Sequence, residues 1–117
     1  MKSGELYVLY RNKRLYVKPA QIIRLEGKSN YTWVHFTDHA PVLMAKVLHA
    51  YAEILRPHGF IRTHRSHLVN PQYVKQVGNG NIQMSDASSV EISRRKNREV
   101  MNNFFQLSIS NSQILSK

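Results

Sequence analysis

At 117 residues the chain has room for one compact domain, and 42% hydrophobic content suffices for a core, which excludes wholesale disorder. Its 17 Lys and Arg against 7 Asp and Glu leave a formal net charge of +10, a self-repulsion most simply tolerated by a domain with a polyanionic partner. The absence of cysteine removes disulfide scaffolds, thiolate metal sites and cysteine nucleophiles, and no apolar run approaches the roughly 20 residues of a membrane span.

Leu6 to Tyr10 and Leu15 to Val17 are rich in aliphatic and tyrosine side chains, and the polar link Arg11-Asn12-Lys13-Arg14 predicts a hairpin. The opening Met-Lys-Ser-Gly-Glu leads into this strand pattern instead of a signal-peptide core, so the expected location is cytoplasmic. Pro19 interrupts pairing before a strand over Ile22 to Glu26. Gly27-Lys28-Ser29-Asn30 reads as a turn. Tyr31 to Thr37 then alternates Thr32, Val34 and Phe36 on one face with Tyr31, Trp33 and His35 on the other, predicting a strand covered on both sides.

From Ala45 to Arg56 the period becomes helical. Val47, Leu48, Tyr51, Ile54 and Leu55 form one stripe, which Pro57 and Gly59 end. Phe60 to Arg62 enters the polar segment Thr63-His64-Arg65-Ser66-His67, and Leu68 to Pro71 closes in a turn. Tyr73 to Val77 and Asn81 to Met84 flank Gly78-Asn79-Gly80, where the Asn-Gly pair signals a hairpin. Asp86 to Ser89 is a further turn and Val90 to Ile92 a short strand. Ser93 is placed to cap a helix over Arg94 to Phe105 that buries Val100, Met101, Phe104 and Phe105. Beyond Gln106 the chain is rich in Ser and Asn, with Ile109, Ile114 and Leu115 available for weak docking. The predicted fold is mainly β, an arrangement of antiparallel sheets with one mid-chain and one C-terminal helix. One domain is expected over residues 1–107 and a flexible or weakly docked tail over 108–117.

Three basic segments stand out. Arg94, Arg95 and Lys96, with Arg98 close behind, sit at the predicted mouth of the last helix, where the dipole makes each base cost about 0.3–1 kcal/mol. That is poor for stability and good for binding an anion. Arg62, His64, Arg65, His67 and Asn70 form a polar stretch between apolar runs. Arg is suited to guanine O6 and N7 and Asn to adenine, although a core role for His64 and a snorkelling Arg62 are the blander alternatives. Lys28 and Ser29 are natural phosphate contacts and Asn30 can reach a base edge, yet such turns are common and usually only solvated.

Catalytic and metal chemistries fare worse. His64 and His67 stand at an odd offset, which in an extended segment separates them, and no third ligand accompanies them. Ser66 with His64 lacks a nucleophile elbow and an acidic orienter. Glu26, Asp38, Asp86 and Glu91 are scattered singly, and no phosphate-cradling glycine loop exists. No enzymatic activity, metal, cofactor or small-molecule substrate is expected.

Phe60-Ile-Arg-Thr-His-Arg-Ser-His-Leu-Val-Asn70 closely resembles the central motif of LytTR DNA-binding domains. Ile23-Arg-Leu-Glu-Gly-Lys-Ser-Asn-Tyr31 resembles the family's opening strand and loop, and Val90-Glu-Ile-Ser-Arg-Arg-Lys96 its closing segment. The resemblance implies an elongated set of antiparallel sheets in a bacterial transcription regulator, with loops in successive major grooves and phosphate contacts between them. By motif position it makes Asn30, Arg65 and Arg95 base-contacting. Lys28, Ser29, Ser66, Arg94, Lys96 and Arg98 become phosphate contacts. The expected partner is double-stranded promoter DNA, bound at paired repeats by two copies, with no membrane involved. Two other readings stay open: a single-strand binder using Tyr7, Tyr16, Tyr31, Trp33 or Tyr73 for stacking, and a basic module for an acidic protein.

Overall fold

The computed structural model describes residues 6–115. Strands β1 (Tyr7–Tyr10) and β2 (Lys13–Tyr16) form a separate hairpin whose two turn residues, Arg11 and Asn12, both lie at positive φ, 52° and 64°. Such a turn matches the right-handed twist of the strands. The linking segment is therefore shorter than its polarity suggests, and Lys13 and Arg14 already belong to β2. A single 3-10 turn at Pro19–Gln21 precedes β3 (Ile22–Lys28), followed by β4 (Tyr31–Phe36) and β5 (Val42–Met44). Strand β5 was not expected from the sequence, because three residues after Pro41 are too few to show a period.

Helix α1 spans Leu48–Leu55, shorter at the start than the predicted Ala45–Arg56 because the chain is still leaving β5. Val47 is consequently 43% exposed rather than part of the buried stripe. Gly59, at φ 86°, ends the following 3-10 turn in the left-handed conformation that glycine adopts at least cost. Then come β6 (Ile61–His64), β7 (His67–Val69), β8 (Val74–Val77), β9 (Asn81–Met84), β10 (Ser89–Glu91) and α2 (Asn97–Leu115). The fold is mainly β with two helices, as the patterning predicts.

All strand pairs are antiparallel. The central sheet has the order β5-β4-β3-β7-β6, and a second sheet the order β10-β9-β8. One face of the central sheet presents Leu25, Val34 and Leu68 to Leu48, Tyr51 and Leu55 of α1, with Leu6, Val8, Phe36 and Phe60 closing the cluster. Ile23 and Val69 instead join Ile82, Met84, Val90, Ile92, Val100 and Phe104, which links the central sheet to the second sheet and α2. A register shift between Ile22 and Arg24 lets β3 serve both cores. Strand β4 is covered as expected by its Thr32, Val34 and Phe36 face; Trp33 and His35 opposite are half-buried and Tyr31 is exposed.

Two expectations about α2 need correction. It starts at Asn97 rather than Arg94 and continues beyond Phe105 to Leu115. Phe105 is 62% exposed, while Val100 and Phe104 are buried and Met101 packs against them. Docking of Ile109, Ile114 and Leu115 concerns side chains outside the described residues. No described helix is long and apolar enough to cross a membrane.

Candidate nucleic-acid interface

Two tight turns leave the central sheet at the same edge. Between β3 and β4, Lys28 pairs with Tyr31, so Ser29 and Asn30 alone form the turn, with Ser29 at φ 56°. Gly27 and Lys28, predicted as turn residues, end the strand instead. Between β6 and β7, His64 pairs with His67 and the turn is Arg65-Ser66. Because β3 runs antiparallel to β7, with Glu26 opposite His67, the end of β3 lies beside the start of β7. The Gly27 amide donates to the Ser66 carbonyl at 2.9 Å and ties one turn to the other.

The third basic segment is fastened to β6 by Thr63, which is fully buried. Its hydroxyl donates to the Glu91 carbonyl at 3.0 Å, and its own carbonyl accepts from the Ser93 amide at 2.9 Å. Ser93 Oγ accepts from the Lys96 amide at 3.1 Å. Ser93 thus caps a lead-in turn over Arg94–Lys96, not the first turn of the helix itself. The bases stand ahead of the dipole's positive end, and Glu99 in the first turn of α2 complements it. The predicted dipole conflict is correspondingly milder.

Lys28, Ser29, Asn30, Arg65, Arg94, Arg95 and Arg98 are exposed, while Ser66 and Lys96 are half-buried. Backbone bonds bring the first eight expected contact residues, Lys28 through Lys96, to connected turns; Arg98 lies beyond them in the first turn of α2. Among the described residues, ion pairs join Arg24 to Glu26 and Arg56 to Glu53, with His35 and His39 at the outer distance limit from Glu26 and Asp38. None engages Lys28, Arg65, Arg94, Arg95, Lys96 or Arg98. Their charge is available to an outside anion.

Other polar residues turn inward. Asn70, considered for adenine from the sequence, is 5% exposed. Its amide donates to the Ile22 carbonyl at 2.9 Å, and its oxygen accepts from the Gln72 amide at 3.0 Å. It staples β7 to the chain around β3 and starts the 3-10 turn at Pro71–Tyr73. His64 and His67 are not separated as extended-chain geometry suggests. The hairpin folds them back, leaving their rings 5.4 Å apart. Burial lowers the His67 pKa, with Glu26 opposing the effect and His64 and Arg24 reinforcing it. Burial and then Arg24 lower that of His35, against the pull of Glu26 and Asp86. Among the described residues no three His, Asp or Glu side chains are grouped to hold a metal ion. Gly27 and Thr63 were missed as site-forming residues, whereas Arg62 was singled out in the central stretch but without its hold on the neighbouring turn. Simple alternation could not have found Thr63, because the strand register shifts between Arg62 and His64.

The family model of the LytTr DNA-binding domain matches residues 12–105, a span that includes all three basic segments. The chain belongs to the LytTR DNA-binding domain family. Its general role is therefore that of a non-catalytic DNA-binding module of transcription regulators. Among solved structures, it resembles the LytTr DNA-binding domain of a Bacillus cereus protein described as a methyl-accepting/DNA response regulator. The TM-score is 0.71 at 20% identity, over 90% of this chain and 98% of that one, a likeness in fold. Comparison with curated protein sequences found no match.

Proposed function

We propose that this LytTR domain binds double-stranded DNA sequence-specifically, with Asn30, Arg65 and Arg95 touching bases in successive major grooves. Lys28, Ser29, Ser66, Arg94, Lys96 and Arg98 contact the phosphates. The observation that carries this reading is the fastening of all three basic segments to one another through the Gly27–Ser66 and Thr63–Ser93 backbone bonds. A duplex presents its phosphates and grooves at fixed spacing, so turns with a fixed relative geometry are suited to it. Two copies on paired half-sites in promoter DNA would extend the limited surface of one domain, and a cytoplasmic regulator is the natural setting.

A single-strand platform has less support. The Tyr7 ring is occupied by the Arg14 guanidinium at 4.6 Å and packs on Tyr16, Trp33 is half-buried, and the Tyr73 hydroxyl donates to the Ala20 carbonyl.

Selection of bound duplexes from a random pool at physiological salt tests binding, specificity and half-site spacing together. On the selected site, Arg65→Ala or Arg95→Ala should each lose about 1–3 kcal/mol of discrimination at one base pair. Lys96→Ala should weaken all sequences alike and reduce the salt slope by about one unit. Equal affinity of wild type and variants for every duplex would refute the reading.

A further inference from the structure

Resting on the assignment of Arg65 to a base, we infer that Arg62 is a positioning residue for DNA readout, aiming Arg65 by clamping the backbone of its turn. The turn is only two residues long and contains no glycine. Arg62 Nε donates to the His64 carbonyl at 3.2 Å, and Nη2 donates to the Arg65 carbonyl at 2.6 Å. His64 Nδ1 accepts from the Ser66 amide at 3.1 Å, and the Ser66 carbonyl is already held by Gly27. Successive backbone groups of the turn are thus pinned by protein donors and acceptors, while the Arg65 side chain is left exposed.

The geometry separates two arginines three residues apart. Arg62 spends two guanidinium donors on protein carbonyls; Arg65 contributes only its carbonyl to this network and keeps its side chain for an outside partner. Base recognition tolerates displacements of only about 0.5 Å, so a loosened turn would blur a two-pronged contact without removing any charge. Lysine preserves the charge but not the planar fork that reaches two carbonyls at once.

The test uses the full chain as wild type, Arg62→Lys, Arg62→Met, Arg65→Ala and Arg62→Lys combined with Arg65→Ala. Kd is measured for a selected duplex and a shuffled duplex of equal length across a salt series. Urea unfolding of each protein supplies the folded fraction by which Kd is corrected. Arg62→Lys should lower the ratio of specific to non-specific affinity on the order of ten-fold, with non-specific affinity unchanged. Arg62→Met should lower the ratio similarly while leaving the salt slope at its wild-type value. In the Arg65→Ala background, Arg62→Lys should change the ratio by less than about two-fold, because both act through one contact.

A wild-type ratio in Arg62→Lys, a full additional loss in the double variant, or a salt slope reduced by about one unit in Arg62→Met would each overturn the inference. The last result would make Arg62 a phosphate contact itself. An undiminished ratio in Arg65→Ala strikes instead at the base assignment of Arg65. A diminished ratio there with an intact one in Arg62→Lys leaves that assignment standing and removes only the positioning role.

Discussion

Gly27 and Gly78 lie in or beside strands at φ values open to any residue, yet alanine at the two positions should move stability in opposite directions. A Cβ on Gly27 would stand 3.1 Å from Leu48 Cβ, 3.4 Å from Cδ2 and 3.7 Å from Cγ. Leu48 opens α1 and is 5% exposed, and its Cβ is fixed directly to the helix backbone. The clash can be relieved only by moving the helix from the sheet. Overpacking of this kind costs about 1–3 kcal/mol, offset by about 0.4–1 kcal/mol from the smaller entropy of the unfolded chain. A net loss near 1 kcal/mol is expected for Gly27→Ala. At Gly78 the added Cβ would meet Asn81 Oδ1 at 3.2 Å and the Asn81 carbonyl at 3.6 Å. The amide end of an exposed side chain swings away, so the entropy term wins and Gly78→Ala should gain about 0.5 kcal/mol. Urea unfolding reads both. With a slope of about 1.5 kcal/mol/M, the midpoint falls by about 0.7 M in one variant and rises by about 0.3 M in the other. A Gly27→Ala protein as stable as wild type would show that helix proximity is not what requires glycine there.

Asn70→Ala should cost about 2–3 kcal/mol in the same assay, since it removes one buried and one part-buried hydrogen bond and strands the Ile22 carbonyl and Gln72 amide. The base preference of the folded variant should be unchanged; a relaxed preference at one base pair would return Asn70 to the interface. Tyr51→Phe should leave stability unchanged or raise it by about 1 kcal/mol, because the buried hydroxyl has no partner among the described residues and its pKa is pushed up to about 12 by burial, then Tyr7. A loss above 1 kcal/mol would reveal a partner for that hydroxyl. Burial holds the His67 pKa in the folded state below its ordinary value of 6.5, so the unfolded chain binds the proton more tightly. Stability should decline as pH falls below about 6.5, and His67→Gln should flatten that decline when urea midpoints are compared across the pH series.

The sequence made the turns legible and concealed what joins them. Arg65-Ser66 and Lys28-Ser29-Asn30 are visible as polar breaks between apolar runs, a local property of composition. Gly27 looked like part of its turn because glycine commonly marks turns. Its structural reason is Leu48, a contact across 21 positions of sequence that no local period reveals. The helix start was misplaced for a related reason. Ser93 has capping chemistry and uses it, but the turn it caps is fixed by Thr63 on a distant strand, which delays the α-helical geometry until Asn97. Asn70 and Arg65 are both polar residues with base-pairing chemistry in one motif. Only the tertiary position of β3, whose Ile22 carbonyl receives the Asn70 amide, separates them.

This division of labour bears on how such an interface can vary. The groups that join the three basic segments are backbone amides and carbonyls, with buried Thr63 as the side chain between two of them. Backbone bonds survive substitution at the exposed positions, so Asn30, Arg65 and Arg95 can change identity without disturbing the relative placement of the turns. Exposed substitutions away from buried networks typically move stability by no more than about 0.5 kcal/mol. A change of base preference therefore need not weaken the fold. Replacing Gly27, Thr63 or Asn70 acts in the reverse sense, because each touches the framework on which every contact depends. On the proposed assignment of Asn30, Arg65 and Arg95 to bases, recognition is free to drift at these exposed side chains while the scaffold holds them in register.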